Sequence, residues 1–128
     1  DHYLYAIDAE TGQEQWAFET GDEVNSSPAV SSGTVYVGSD DHYLYAIDAE
    51  TGQKQWAFET GNEVVSSPAV SGGTIYVGST NGNLHAIDAV TGEEKWVFNT
   101  AGMVYSSPAV SGGTVYIGNL SGFVYAVE

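Results

Sequence analysis

The chain has 128 residues, enough for one domain, with 17 acidic side chains against two lysines and no arginine, for a net charge of −15. A chain of this charge repels nucleic-acid phosphates and anionic lipid headgroups, since neither finds a cation to pair with, and we exclude nucleic-acid binding. The sequence has no cysteine, which excludes disulfides, thiolate metal sites and thiol catalysis.

Strong acidity can indicate disorder, but 42% of the residues are hydrophobic and 12% are aromatic, in a regular pattern. We therefore predict a folded protein with an acidic surface of the halophilic kind, since molar salt shortens the Debye length to about 3 Å and screens self-repulsion. An ordinary acidic domain is the alternative. No apolar run reaches transmembrane length, so direct membrane insertion is not expected.

Four short strands are predicted in the first 40 residues. Tyr3–Asp8 is apolar on both faces, as a strand between two packed layers should be, and Gln15–Thr20 alternates aromatic with polar side chains. Val24–Val30 contains a proline, and Thr34–Gly38 is rich in β-branched and aromatic residues. No segment has the period of a helix. The pattern predicts an all-β protein.

The turn between the first two strands, Ala9–Gln13, has the residues that a tight turn needs. Asp8 or Thr11 can accept backbone hydrogen bonds there, and Gly12 can take a positive φ.

These elements recur with a period of 40 residues. The segment AIDAETGQEQW at Ala6–Trp16 returns as AIDAETGQKQW at Ala46–Trp56 and as AIDAVTGEEKW at Ala86–Trp96. The first two repeats differ at six positions only, which duplication of one repeat, natural or engineered, would explain. We predict a single repeat array over residues 1–128. It comprises repeats 1–40, 41–80 and 81–120, with 121–128 as the start of a fourth.

The three prolines, Pro28, Pro68 and Pro108, occupy one register of the repeat. Proline cannot donate to a strand ladder and is confined to sheet edges, so each SSPAV segment is predicted to be an edge strand. Its small residues suit the inner edge of sheets that converge on an axis.

Four short antiparallel strands per repeat are typical of the blades of a β-propeller. Numbered outward from the proline edge, the strands give the last two strands of one blade, two complete four-stranded blades and the first three strands of another. The chain is thus three repeats plus one extra strand. Three blades are too few to close a ring. We expect either a piece of a longer propeller or half of a six-bladed ring made by a homodimer.

The spacing Ala-x-Asp-x-x-Thr-Gly-x-x-x-Trp, followed by SSPAV and TVYVGS strands, resembles the PQQ-like β-propeller repeat. That family includes the quinoprotein alcohol dehydrogenases and the propeller lipoprotein of bacterial outer-membrane assembly. The resemblance implies a tryptophan-docking motif, in which the indole packs against the alanine and the Thr-Gly turn and joins adjacent blades. The residues concerned are Ala6, Asp8, Thr11, Gly12, Trp16, Ala46, Asp48, Thr51, Gly52, Trp56, Ala86, Asp88, Thr91, Gly92 and Trp96.

A PQQ cofactor is not expected in this chain. The resemblance to quinoprotein dehydrogenases implies a vicinal disulfide, basic side chains, Ca²⁺ and an aspartate base. The sequence has no cysteine and no arginine, and Lys54 and Lys95 both lie beside tryptophans on predicted outer strands. An enzymatic role would require cofactor residues outside these 128, so a fragment of a quinoprotein dehydrogenase is the alternative reading.

Two acidic clusters, at residues 22–23 and 40–42, have oxygens that Ca²⁺ could bind. The equivalent positions of the third repeat are Gly102-Met103 and Leu120-Ser121-Gly122, so we expect solvated faces and no metal site.

Catalytic groupings are not expected either. The serine pairs, such as Ser26-Ser27, recur in every repeat, which favours hydrogen bonding at the inner edge over nucleophilic catalysis. His2, His42 and His85 have no paired spacing and are expected at the surface.

The sequence therefore favours a non-enzymatic scaffold that binds a protein partner, located extracytoplasmically or at the cell surface. The binding surface is expected in the loops where the repeats differ, Asp22–Asn25, Asn62–Val65 and Gly102–Tyr105. Met103 and Tyr105 add apolar surface in the last of these.

Overall fold

The computed structural model describes residues 2–128, and Asp1, the first residue of the predicted array, lies outside them. All regular secondary structure in this part of the chain is β-strand, and it holds no helix long and apolar enough to cross a membrane. The strands are β1 (Tyr3–Ile7), β2 (Glu14–Glu19), β3 (Ala29–Ser31), β4 (Thr34–Gly38), β5 (Tyr43–Asp48), β6 (Lys54–Glu59), β7 (Ala69–Ser71), β8 (Thr74–Gly78), β9 (Asn83–Asp88), β10 (Glu94–Asn99), β11 (Ala109–Ser111), β12 (Thr114–Gly118) and β13 (Val124–Val127).

The strands form four antiparallel sheets in sequence order. The first sheet is β1-β2, the second β3-β4-β5-β6, the third β7-β8-β9-β10 and the fourth β11-β12-β13. The expected all-β class and the division into two, four, four and three strands are confirmed.

The third strand of each repeat is shorter than predicted. The sequence predicted Val24–Val30, whereas β3 covers Ala29–Ser31 and Pro28 directly precedes it. The physical reason is that Pro28 has no N–H to donate to a ladder, so pairing with β4 begins only after it. β3, β7 and β11 each lie at one edge of their sheet, with a proline just before each.

The core lies between neighbouring sheets. One cluster joins Tyr36 and Leu44 of the second sheet to Ile75, Val77 and Ile87 of the third. Similar clusters join the first sheet to the second and the third to the fourth. Full burial of a leucine or isoleucine stabilises the fold by roughly 1.5–3 kcal/mol, so the sheets are held together mainly by these faces.

The two ends of the array leave equivalent apolar positions exposed. Ile7 of β1 is exposed, whereas Ile47 and Ile87 at the same position of β5 and β9 are fully buried. Val124 of β13 is 78% exposed at a position where Leu44 is fully buried. Each terminal sheet therefore exposes apolar side chains at positions that are buried between sheets in the middle of the array.

Candidate functional site

The Asp-Thr-Gly turn is built by local hydrogen bonds. The Asp8 carboxylate accepts from the backbone N–H of Glu10 at 2.9 Å and of Thr11 at 2.8 Å. Gly12 has a φ of 74°, in the region that favours glycine. The N–H groups of Thr11 and then Glu10 hold the pKa of Asp8 below its ordinary value, and Asp48 and Asp88 are shifted likewise by the same turn.

The tryptophan of each outer strand contacts the turn of the following sheet. Trp16 Nε1 donates to the carbonyl of Ala49 at 2.9 Å, and Trp56 repeats this contact with Ala89 at 3.0 Å. A Cβ at Gly52 would lie 2.7 Å from the ring of Trp16. Only glycine lets the indole lie this close to the backbone. The alanine predicted to contact the indole, Ala6, is paired with Trp16 across the strands of its own sheet.

At each end of the chain, only one partner of this tryptophan–turn contact is present. A turn to receive Trp96 would lie beyond Glu128, the last residue of the sequence. At the other end, a Cβ at Gly12 would meet no atom of the described residues within 4 Å. Trp96 therefore lacks a glycine turn, and the Gly12 turn lacks a tryptophan, within one chain.

A second repeated contact joins a valine to a glycine of the preceding sheet. A Cβ at Gly38 would lie 2.3 Å from the side chain of Val64, and one at Gly78 would lie 2.2 Å from Val104. At Gly118 the nearest atoms are 3.6 Å away or farther and belong to Ser106 and Phe123. Val24 is the equivalent of Val64 and Val104 in the first repeat, and no glycine of a preceding sheet among residues 2–128 lies against it.

Serine hydroxyls link successive sheets beside the prolines. The backbone N–H of Ser27 donates to Ser67 Oγ at 2.8 Å, and that of Ser67 donates to Ser107 Oγ at 3.0 Å. The neighbouring Ser26 hydroxyl accepts from the N–H of Gly38 at 3.2 Å. These hydroxyls bind backbone amides, as the sequence predicted, and Ser107 is the last of the series.

One loop end of the array presents an apolar patch, which we call the loop patch and define as Met103, Tyr105 and Leu120. These side chains are 53%, 49% and 64% exposed. The backbone N–H of Leu120 donates to the carbonyl of Met103 at 2.9 Å, so the two segments lie together. Sequence reasoning named Met103 and Tyr105 but missed Leu120, because it read position 120 only as a lost acidic ligand.

The first repeat is acidic where the loop patch is apolar. Glu23, Asn25 and Asp40 stand at the positions of Met103, Tyr105 and Leu120, and Asn25 donates to Asp40 at 2.8 Å. Burial, followed by the nearby charge of Glu63, raises the pKa of Asp40. Residues 2–128 contain no group of three acidic or histidine side chains that could hold a metal ion.

One expectation about the histidines was wrong. His2 and His42 are exposed as predicted, but His85 is buried in β9, at the position that Tyr45 has in β5. Its Nδ1 lies 2.7 Å from Glu94 Oε2, and its ring meets Phe58 edge-on at 5.3 Å. The register could have revealed this, since every other repeat has tyrosine there.

Comparison with known proteins identifies related folds. The family model described as outer membrane protein assembly factor BamB matches residues 1–128. The chain is similar to the crystal structure of BamB from Moraxella catarrhalis, with 24% identity and a TM-score of 0.86, over 98% of this chain and 39% of that one. No curated protein matches the sequence.

Two further solved structures are similar. Quinohemoprotein alcohol dehydrogenase from Comamonas testosteroni has 27% identity and a TM-score of 0.77, over 98% of this chain and 21% of that one. The computationally designed Ika4 protein has 19% identity and a TM-score of 0.89, over 98% and 79% of the two chains. These matches confirm the predicted β-propeller fold, and this chain spans less than half of either natural protein.

Proposed function

Because the chain belongs to the BamB-like family of β-propellers, we propose that it is a non-enzymatic scaffold that binds a protein partner through the loop patch. The observation that supports this most directly is the exposure of Met103, Tyr105 and Leu120 on two loop segments that a backbone hydrogen bond between Leu120 and Met103 joins. Methionine and aromatic side chains are enriched at the centres of protein interfaces.

The polar residues of the repeat are used in folding, which is why we propose no catalytic role. The Asp8 carboxylate and the Ser67 hydroxyl accept backbone hydrogen bonds, and their equivalents in other repeats do the same. A catalytic group would instead be expected to lie near a base or an acid that activates it. The conspicuous motif of the sequence is then structural.

The charge distribution suits a protein partner with a basic rim. The loop patch interrupts a loop end whose other repeats have Asp22, Glu23 and Glu63 at nearby positions. Acidic groups around an apolar centre speed association with a basic partner and repel acidic ones. The family description names assembly of outer membrane proteins, which supports our proposal that the scaffold lies outside the cytoplasm or at the cell surface.

Self-association is the second part of the proposal. Three repeats fall short of the four or more blades that a closed propeller needs, and apolar faces are exposed at both ends of the array. Two copies of the chain would supply six blades and bury both faces. The proposed assembly is a homodimeric six-bladed ring that presents two loop patches.

A quinoprotein dehydrogenase fragment is the second candidate, favoured by 27% identity with the Comamonas enzyme over nearly the whole chain. The residues do not fit the cofactor. PQQ is polyanionic, whereas this chain has a net charge of −15 and no arginine, and the ammonium of Lys95 donates to Thr74. Alcohol oxidation with an artificial dye acceptor, after addition of PQQ and Ca²⁺, tests this candidate, and turnover would overturn the non-enzymatic proposal.

A photo-crosslinking amino acid at position 105 tests protein binding by the loop patch. Position 90 is the matched control, because Val90 is also exposed but lies in a turn at the opposite end of the strands. With envelope extract of the producing cells, we expect a discrete crosslinked protein from position 105 that disappears when Met103→Asp is added. The same products from both positions, or none from position 105, would count against this function.

A further inference from the structure

An apolar pocket of about 230 Å³ opens beside β1 and β2. Its walls include Leu4, Ala6, Trp16, Val30, Val35 and Ala49. The sheet on this side has only two strands, so nothing from residues 2–128 covers it as an inner strand would.

The same walls recur 40 residues later, where a tyrosine fills them. Tyr36 is only 4% exposed and its ring lies 5.9 Å from that of Trp56. The cluster that contains it includes a counterpart, 40 residues later, of each of these six wall residues, namely Leu44, Ala46, Trp56, Val70, Ile75 and Ala89. The pocket is therefore built for a tyrosine that approaches on a strand equivalent to β4.

Tyr116 is the tyrosine of this series that has no such pocket within the chain. Tyr76 lies 5.9 Å from Trp96, just as Tyr36 lies against Trp56. Tyr116 follows them in β12 and is 44% exposed, and no tryptophan ring of the described residues lies against it as Trp56 and Trp96 lie against the other two. One end of the chain thus has the tyrosine and the other end has the pocket.

The other half-contacts point the same way. Trp96 lacks a glycine turn while the Gly12 turn is open. Gly118 lacks a valine while Val24 is the valine without a glycine. The serine series begins at Ser27 and ends at Ser107. The backbone N–H of Ser107 could therefore donate to the Ser27 hydroxyl of another copy. A single head-to-tail junction in the register of the internal junctions completes all of these contacts together.

The strands β1 and β13 compete for one place in that junction. β5 and β9, the equivalents of β1 and β13 in the two four-stranded sheets, have leucine, alanine and isoleucine at their buried positions. These residues are Leu44, Ala46, Ile47, Leu84, Ala86 and Ile87. β1 has the same three residues, whereas β13 has the smaller Val124 and Val127 around its alanine. β1 also continues into the Gly12 turn and Trp16, the two groups that form the contacts between the internal sheets.

We propose that a second copy of this chain closes the ring by strand exchange: the β1–β2 hairpin of one copy displaces β13 of the other and pairs with its β12, so that Tyr116 of that copy fills the pocket beside Trp16. The inference rests on the proposed self-association and says which strands form the junction between the two copies, namely β1 and β2 of one copy and β12 of the other. Leu4 and Ile7 then take the buried places that Val124 and Val127 would underfill.

Two cysteine pairs in this cysteine-free chain decide which strand pairs with β12. Val115 is opposite Val127 in β13, and the register of β4 with β5 would place Ile7 opposite Val115 after exchange. Directly opposed residues of antiparallel strands lie about 4.5–5.5 Å apart at Cα, within the range of a disulfide. The variants are V115C with I7C and V115C with V127C, assembled while reduced and then oxidised.

Strand exchange predicts a disulfide-linked dimer from V115C with I7C and free thiols in V115C with V127C, measured by non-reducing electrophoresis and mass spectrometry. An intrachain disulfide in the second variant overturns the exchange, whatever the first variant does. If the unsubstituted chain is monomeric in the same buffer, the proposed ring itself fails, so the two failures are distinguishable.

Two aspartate substitutions distinguish the junction between the copies from the loop patch. Tyr116 and Tyr105 are similarly exposed in the single chain. Tyr116→Asp is expected to weaken dimerisation at least tenfold while Tyr105→Asp leaves it unchanged, since only Tyr116 enters the pocket. Tyr116→Phe retains the ring and should dimerise normally. Equal dimerisation of Tyr116→Asp and the unsubstituted chain would overturn the assignment of the pocket.

Discussion

Gly52 shows, at the scale of single residues, why the repeat needs glycine. Its φ is 76°, and an added Cβ would lie 2.7 Å from the ring of Trp16. Gly73 has the same φ, but a Cβ there would meet no described atom within 4 Å. The two glycines therefore share a left-handed backbone conformation and differ in the contact with an indole.

Gly52→Ala is expected to destabilise the fold by about 1–3 kcal/mol more than Gly73→Ala, because the indole must move in the first variant only. Both should lose about 1 kcal/mol to backbone strain. Urea unfolding of the two variants measures the difference. Equal losses would mean that the indole contact contributes nothing to stability.

Asp48 is expected to make stability depend on pH. The backbone N–H groups of Thr51 and Glu50 lower the pKa of Asp48 from its ordinary value of 3.8. A carboxyl whose pKa is lower in the folded state stabilises it above the ordinary value, and this contribution is lost as the pH falls through the folded-state pKa. Asp48→Asn should therefore lower the urea midpoint at pH 7 and have less effect at pH 3. Glu50→Gln removes the same charge from the same turn, and a matching pH profile in that variant would contradict the assignment.

The turns could be predicted from single residues, whereas the neighbours of a buried residue could not. Asp8, Thr11 and Gly12 form their turn from contacts within five residues, and the sequence predicted it. The burial of His85 depends on Phe58 and Glu94, which come from other strands. The tyrosines at the equivalent positions indicate burial at position 85, but they do not indicate which side chains contact the histidine.

At the scale of elements, the length and bounds of β3 are what the sequence pattern predicted wrongly. The residues before Pro28 look like a strand, but Ser26 uses its hydroxyl to bind Gly38. Hydrogen bonds of side chains thus replace the ladder there. The other strands were predicted to within one residue, because their alternating or apolar patterns reflect which faces are buried.

The segment before each short strand should be important for joining sheets. Val104 is fully buried and lies against Gly78 of the preceding sheet. Val104→Ala should cost about 1–3 kcal/mol, since two methyl groups leave a packed site. Val90→Ala is the control, because Val90 is 86% exposed, and it should change the free energy of unfolding by less than about 0.5 kcal/mol. A similar small change for Val104→Ala would show that this junction is not tightly packed.

At the scale of the whole molecule, the net charge of −15 should make stability depend on salt. Raising KCl from 0.1 to 1 M shortens the Debye length from about 10 to about 3 Å and weakens self-repulsion of the folded state. We expect Tm to rise by several degrees. An unchanged or lower Tm in 1 M KCl would contradict the halophilic reading and favour an ordinary acidic domain.

The fold could be predicted from the repeat, and closure could not. A period of 40 residues with proline, glycine and tryptophan in fixed places specifies the blade. The tyrosine pocket and the open glycines at Gly12 and Gly118 appear only when distances across the sheets are known. Likewise, the backbone hydrogen bond that joins Leu120 to Met103 in the loop patch has no signal in the sequence.

The mass of the protein in solution tests most directly whether two copies form one ring. Light scattering after size exclusion, over a hundredfold range of concentration and in 1 M KCl, measures it without a label. The ring predicts twice the 13.5 kDa of a single chain, with no larger species as concentration rises, because a closed ring has no free end. A monomer at every concentration, a trimer, or open-ended growth would contradict it.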